Sequence, residues 1–464
     1  MKRTWIAAGI AVALLGGAVV GGAALTGVQA RKQLQEAARS WPAQWPMAKV
    51  VEQRYDRGLF SATHVVTLQF GCDADAKGGN GPLLLTLRQR VQHGPLPGFA
   101  GFGAAVIDTE LVLPEASRKL FGDKPPLTAH TVVGFDGASR TRLAMPEIKF
   151  EEPQGRQVVD FQGLSADIAA KSGQVRYEVQ MPALTFRGGD EKATAAVTLT
   201  NARMQGELRG SGSLWLRPGH GEAQLGAWRM TVAPRAGEAA PALTVAFDDL
   251  KVVSDNTLDK ELLASTARLS GRGTVNGFKI DKLEMQASLK RLHAPGYERL
   301  MQRFMDTGAT ACGMQQAVSP QVFLSQLQED LAALLPFNPE YALDKLLIEA
   351  DGKRAEFSYA VGIEGATAED AKLPLPALAR AKGRLRGEAS LPLPWVERAV
   401  MQFGGAPGQP ADAAAQAEMV NVMLAKMTAD GFVVRDGDQL KAQFSLDKGQ
   451  LLVNGKPVGG RPAP

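Results

Sequence analysis

Five histidines, His64, His93, His130, His220 and His293, are the residues from which acid–base or metal chemistry would have to be built. No two stand at i, i+2 or i+4, so no single helix or strand supplies a metal pair. A His-x-x-Glu-His run, a G-x-S-x-G elbow and a G-x-x-x-x-G-K-[ST] loop are all missing. The glycine-rich "SGRGTVNG" misses the dinucleotide spacing and reads as a turn. Asp248 and Asp249 are adjacent, and neighbours on a strand face opposite ways, so they do not form an acid/base pair. His93 precedes Gly94-Pro95 and is the best-placed base, yet no nucleophile or second base accompanies it. A histidine that bonds a turn carbonyl is the plainer reading. The sequence predicts no catalytic residue, no metal site and no cofactor.

The elements that would position any such group are mostly strands. The chain has 464 residues, 45% of them hydrophobic, with many glycines and few aromatics. Val66, Leu68 and Phe70 alternate with Thr67 and Gln69, and Leu85, Leu87 and Val91 alternate with polar neighbours. Asp136-Gly137 and Asp351-Gly352 each sit between two such runs, a hairpin signal. Leu283, Met285, Ala287 and Leu289 share one face, and Ala442, Phe444 and Leu446 share another in a closing hairpin. Helical spacing marks a short segment in 31–48, then "GYERLMQRFMDTG", a helix after Ser319-Pro320, "PWVERAVMQFG" and "AAAQAEMVNVMLAKMTADG". The predicted fold is mainly β (β-rich α+β), a long curved antiparallel sheet with inserted helices. The divisions are 1–32, a signal-anchor transmembrane helix; 33–294, a β-rich region; and 295–464, a helix-containing region continuing the sheet.

No charge falls between Thr4 and Ala30, while Lys2, Arg3, Arg31 and Lys32 flank the run. A bilayer needs about 20 apolar residues and a cleaved signal has an apolar region of about 7–15, so the length favours an anchor. Val28-Gln29-Ala30 carries the small residues of a cleavage site, which is the competing reading. Gly17 and Gly21 form a G-x-x-x-G through which two helices could pair as a homodimer, although glycine is common in such runs. The long segment after the anchor is expected outside the cytoplasm. The net charge of +4 is dispersed, which argues against nucleic acid. The two cysteines, Cys72 and Cys312, would lie where disulfides persist. A bridge contributing about 4–5 kcal/mol and two separate thiols are both open readings.

Along almost the whole length the chain resembles the YdgA family of bacterial inner-membrane proteins. The features are the anchor ending in "LTG", then "YDRGLFS", "VQHGPLP", "LTVAFDDLKV" and "GQLLVNGKPV". The resemblance implies an N-terminal anchor in the bacterial inner membrane, a periplasmic β-rich body and a homodimer, and no catalytic residues. A weaker, fold-level similarity runs to AsmA-like envelope proteins. The motif residues are Tyr55, Arg57, Gly58, Leu59, Phe60, His93, Gly94 and Pro95, and their expected role is structural. Gly58 is expected to make a bulge, with Phe60 opening the packing face that Val66 continues. The expected function is non-enzymatic: a membrane-anchored envelope protein whose dry sheet face binds lipid or another apolar ligand. A tethered scaffold is the alternative, and a hydrolase with a dispersed site comes third.

Overall fold

The computed structural model describes residues 23, 25–32, 34–36, 48–70, 83–99, 101–113, 124–152, 157–189, 193–210, 216–234, 242–309, 328–403, 413–447 and 449–458. The fold is mainly β, with few helices, and every strand ladder within its two compact units is antiparallel. The first unit holds residues 1–221 and 301–320, the second 222–300 and 321–464. Position 294/295 falls where a strand passes into the helix Ala294–Ala309.

In the first unit, β1 (Ala48–Arg57), β2 (Ser61–Phe70), β3 (Leu83–His93), β4 (Ala105–Val112), β5 (Thr128–Val133) and β6 (Ser139–Met145) form a meander. The next strands are β7 (Ile148–Glu151), β8 (Gln157–Phe161), β9 (Leu164–Lys171), β10 (Gln174–Gly189) and β11 (Ala193–Arg209). β6 pairs with β9 and β7 with β8, so 139–171 is one long hairpin interrupted on both arms. Pro146 withholds an amide on one arm, and Gly163, at φ +85°, packs against the Met145 carbonyl on the other. β9 and β8 both pair with β10, which pairs on its far side with β11.

Register turns the period-2 pattern into continuous rows. One runs Ala62, Val91, Ile107, Thr131, Thr141, Ile168, Tyr177, Gly206, strand by strand. The opposite face carries Arg90, Asp108, His130, Arg142, Asp167 and Glu178 in one row. Exposed polar contacts link that row: a hydrogen bond between His130 Nδ1 and Asp108 at 2.7 Å and an Arg142–Asp167 ion pair at 3.7 Å. Such pairs are each worth about 0–1 kcal/mol, so they keep the face wet more than they hold the sheet.

The second unit strings β13 (Leu243–Asp259), β14 (Leu262–Val275), β15 (Phe278–His293), β16 (Glu340–Ala350), β17 (Lys353–Ile363), β18 (Gly383–Pro392) and β20 (Gln439–Asp447) side by side. β19 (Val434–Asp436) and β21 (Gln450–Val453) share the far edge of β20. β12 (Gly219–Pro234) begins at the end of the first unit and continues into the second. Asn276-Gly277 and Asp351-Gly352 each close a two-residue hairpin with both φ values positive, the turn whose twist matches paired strands. Helices Leu375–Lys382, Leu393–Phe403 and Ala413–Ala429 are inserted late in the chain. Leu335, Ala366, Ala371 and Leu378 form a small local core beside them.

Residues 25–32 and 34–36 are helical, and Ala30 and Leu34 pack on Ala62, Val91 and Ala105. The last residues of the uncharged run therefore lie on protein rather than in a bilayer, and the transmembrane helix expected over 1–32 is not supported. Among the described residues, no helix is long and apolar enough to cross a membrane. Gly17, Gly21, Cys72 and Cys312 lie outside the described residues.

Candidate functional site

The motif residues of the first unit converge at one end of its sheet. β1 ends at Arg57 and β2 begins at Ser61, so "RGLFS" is the turn of a hairpin. The expected bulge within one strand is corrected: the Gly58 amide donates to the Ser61 carbonyl at 2.7 Å and closes the chain on itself. The packing face begins at Ala62, not at Phe60, which is exposed. The next hairpin end docks on this turn. The His93 amide donates to the Phe60 carbonyl at 2.8 Å, and the Gly94 amide to the Ala104 carbonyl at 2.8 Å. Pro95, joined to Gly94 by a cis bond, accepts from the Gly103 amide.

His93 is 2% exposed. Its Nδ1 lies 3.3 Å from the Leu59 carbonyl, which can only accept, so Nδ1 carries the proton. Nε2 is then a bare acceptor, buried and without a partner among the described residues, as is the Tyr55 hydroxyl. Burial lowers the His93 pKa below its ordinary value and Arg57 lowers it further, while the Leu59 bond opposes the shift. The helical residues 25–32 and 34–36 cover the group. Thr26 Oγ1 donates to the Gly94 carbonyl at 3.1 Å, Gly27 lies flat on the His93 ring, and Arg31 sits 5.9 Å above the Tyr55 ring. The contacts of these residues tie two turns and a helix together, His93 through its ring bond to the Leu59 carbonyl.

Sequence reading passed over His64. It is buried at the centre of a four-strand polar chain. The Gln53 amide nitrogen donates to His64 Nε2 at 3.0 Å, leaving Nδ1–H to donate to Gln89 Oε1 at 2.8 Å. Gln89 Nε2 in turn donates to Thr109 at 3.3 Å. Burial holds the imidazole neutral. The available signal was a histidine in phase with Ala62 and Val66 on a dry strand face. Among the described residues, no cluster of three or more His, Cys, Asp or Glu is arranged to hold a metal.

The second unit carries a different surface. Three rows cross β15–β18 and β20: Leu289, Tyr341, Val361, Leu385, Leu446; Ala287, Leu343, Tyr359, Gly387, Phe444; and Met285, Leu346, Phe357, Ala389, Ala442. Tyr341, Tyr359, Phe357 and Phe444 form a chain of ring contacts at 6.0, 5.7 and 6.0 Å. Gly387 leaves the space that the Phe444 ring fills. A completed sheet core would bury such residues, yet Tyr341 is 43% exposed and Val361 44%. Two depressions of about 480 and 760 Å³ lie along the same strands, but most of their lining residues, such as Glu340, Arg386 and Lys441, alternate with these rings and fall on the opposite, polar face. Tyr359 and Phe444 line the first, Phe357 and Leu346 the second, and Ser358, Glu388 and Gln443 line both.

The first unit repeats the pattern. Leu143, Ile168, Val175, Tyr177 and Val179 are only half-buried on the dry face, away from the covering helix. Among the described residues, β9, β10 and β11 pack chiefly on strands beside them in the sheet.

Comparison with curated proteins and with solved structures gives no significant match. One family model spans residues 1–459, nearly the entire chain. The chain belongs to that family, the bacterial proteins of unknown function DUF945.

Proposed function

We propose that this is a non-enzymatic, membrane-anchored protein of the bacterial cell envelope that holds acyl chains or similar apolar ligands on its dry sheet faces. The carrying observation is the aromatic-lined surface of the second unit, apolar in three successive rows yet left half-exposed. A sheet that leaves such contiguous apolar rows open is suited to a ligand or partner that covers them. The uncharged part of the run ahead of residue 25, preceded by Lys2 and Arg3, is long enough to support an anchor, and a long domain after such an anchor fits the periplasmic side of the inner membrane. The likeness to YdgA and AsmA-like envelope proteins fits the same reading, by analogy.

The test is to purify the full chain in mild detergent, extract it with organic solvent and quantify co-purified lipid by mass spectrometry. Stoichiometric acyl lipid that falls in a Tyr341→Ser/Val361→Ser double variant supports the reading. Lipid at the same level in both proteins, or none in either, sinks it and leaves the tethered scaffold.

A further inference from the structure

Several of the largest exposed apolar side chains of the first unit are gathered on three loops at one end of its sheet. Leu59 and Phe60 sit on the β1–β2 turn, Leu96 and Phe102 on the β3–β4 connection, and Phe135 on the β5–β6 connection. In an antiparallel meander these alternate connections must fall at the same end. The loops are also joined to one another. His93, at the end of β3, bonds the Leu59 and Phe60 carbonyls, the Ala104 amide donates to the Val133 carbonyl at 2.8 Å, and the Phe102 and Phe135 rings meet at 5.0 Å. Phe102 is nevertheless 80% exposed and Phe135 53%, and Gly101 beside Phe102 faces open space. A pair of phenylalanines held in contact by anchored loops and turned outward is not explained by the packing of the unit.

The helical segment that begins at residue 25 indicates what they face. Its first turns lie at this same end, with Thr26 bonded to the Gly94 carbonyl and Gly27 on the His93 ring. Ala30 and Leu34 then follow the dry face inward. Four residues of helix rise about 6 Å, so the chain entering at residue 23 comes from beside these loops. What precedes it is a segment without charge as far back as Thr4. Arg31 and Lys32, both exposed, lie one to two turns further along, a basic fringe suited to anionic headgroups.

We propose that the loop end of the first unit seats on a lipid bilayer, with Phe102 and Phe135 inserted into the interface beside the point where the uncharged N-terminal run enters it. Phenylalanine and leucine on rigid loops bury their apolar surface at the headgroup–acyl boundary without crossing it. The inference is independent of any ligand on the sheet faces. It fixes the sheet end-on to the membrane, with the β1–β2, β3–β4 and β5–β6 loops down.

The experiment uses the full chain reconstituted in vesicles of phosphatidylethanolamine and phosphatidylglycerol containing a doxyl-labelled lipid quencher. A genetically encoded environment-sensitive fluorescent residue replaces Phe102, Phe135 or, as the control on the wet side of the same unit, Lys149. Blue-shifted emission and at least several-fold stronger quenching at 102 and 135 than at 149 is the expected result. Emission at 102 and 135 that matches 149, or a chain that does not float with the vesicles, overturns the proposal. Should the probe at 102 or 135 disturb folding, the same probe at Leu96 reads the same interface. Its quenching should be lost in a Phe102→Glu/Phe135→Glu background that still floats through the N-terminal run, and quenching retained there equally overturns it.

Discussion

His64 and His93 are imidazoles that the fold keeps neutral, each chiefly by burial. Their pKa values lie below the ordinary 6.5 in the folded chain. Between the folded value and 6.5 the unfolded chain holds more protons, so stability rises with pH across that window. Above it these groups add no slope, and below the folded values their loss is complete. The urea midpoint of the full chain should therefore be lower at pH 5.5 than at pH 7.5, and His64→Gln should shrink that difference. Equal midpoints at the two pH values would show that neither imidazole resists protonation. Gly94 supplies a second prediction at this scale. A Cβ there would run into the Gly103 and Ala104 carbonyls, which are backbone and cannot step aside. Gly94→Ala should cost about 1–3 kcal/mol in denaturant unfolding, as overpacking does elsewhere. The sequence marked Gly94 only as part of the turn in "HGP". Which carbonyls it meets depends on a loop nine residues downstream.

At the scale of elements, the helical residues 25–32 and 34–36 are held by a glycine-on-imidazole contact, the Thr26 bond to the Gly94 carbonyl and a small apolar cluster. A leucine at position 27 would drive its Cβ into the His93 ring, where the ideal Cβ already comes within 2.7 Å of Nδ1. Gly27→Leu should loosen the helix and raise amide exchange at Val91 and Ala105 by tenfold or more, while exchange in the second unit stays as it was. Unchanged protection at those residues would mean that the helix is not what buries them. The strands themselves were readable from period-2 alternation, and Asp351-Gly352 from its dipeptide. Ser172-Gly173, Asn276-Gly277 and Asn454-Gly455 are further two-residue turns of the same conformation. Gly58 misled because a glycine inside an alternating run reads equally as a bulge or as a turn. Only the partner strand distinguishes them, and here Arg57 pairs with Ala62.

At the scale of the whole molecule, each unit is a sheet whose apolar rows described above are incompletely covered. Tyr341 and Val361 therefore contribute little to folding, because their surface stays in contact with solvent in the free protein. Replacing both by serine should leave unfolding stability within about 0.5 kcal/mol per site, the usual range for surface positions. A loss of several kcal/mol would show that they belong to a closed core, and would remove the surface on which the proposed ligand sits. Near-neutral stability together with reduced bound lipid is the combination expected of a binding face.

Strand alternation, hairpin dipeptides and the uncharged run are local properties, set by neighbours within a few residues. They determined the β-rich class, the positions of most strands and the late cluster of helices. The expected absence of a catalytic motif also came from local spacing. Contacts between distant segments decided the rest. Tyr55, His64, His93 and Gly94 come together only because β1, β2 and β3 pair in one register and the residues ahead of β1 fold back over them. A dry face is visible in sequence as alternation, but what covers it is not, because the same pattern serves a sheet sealed by a second layer and one left open. The exposed rings of Tyr341 and Phe102 are thus findings of the tertiary structure alone.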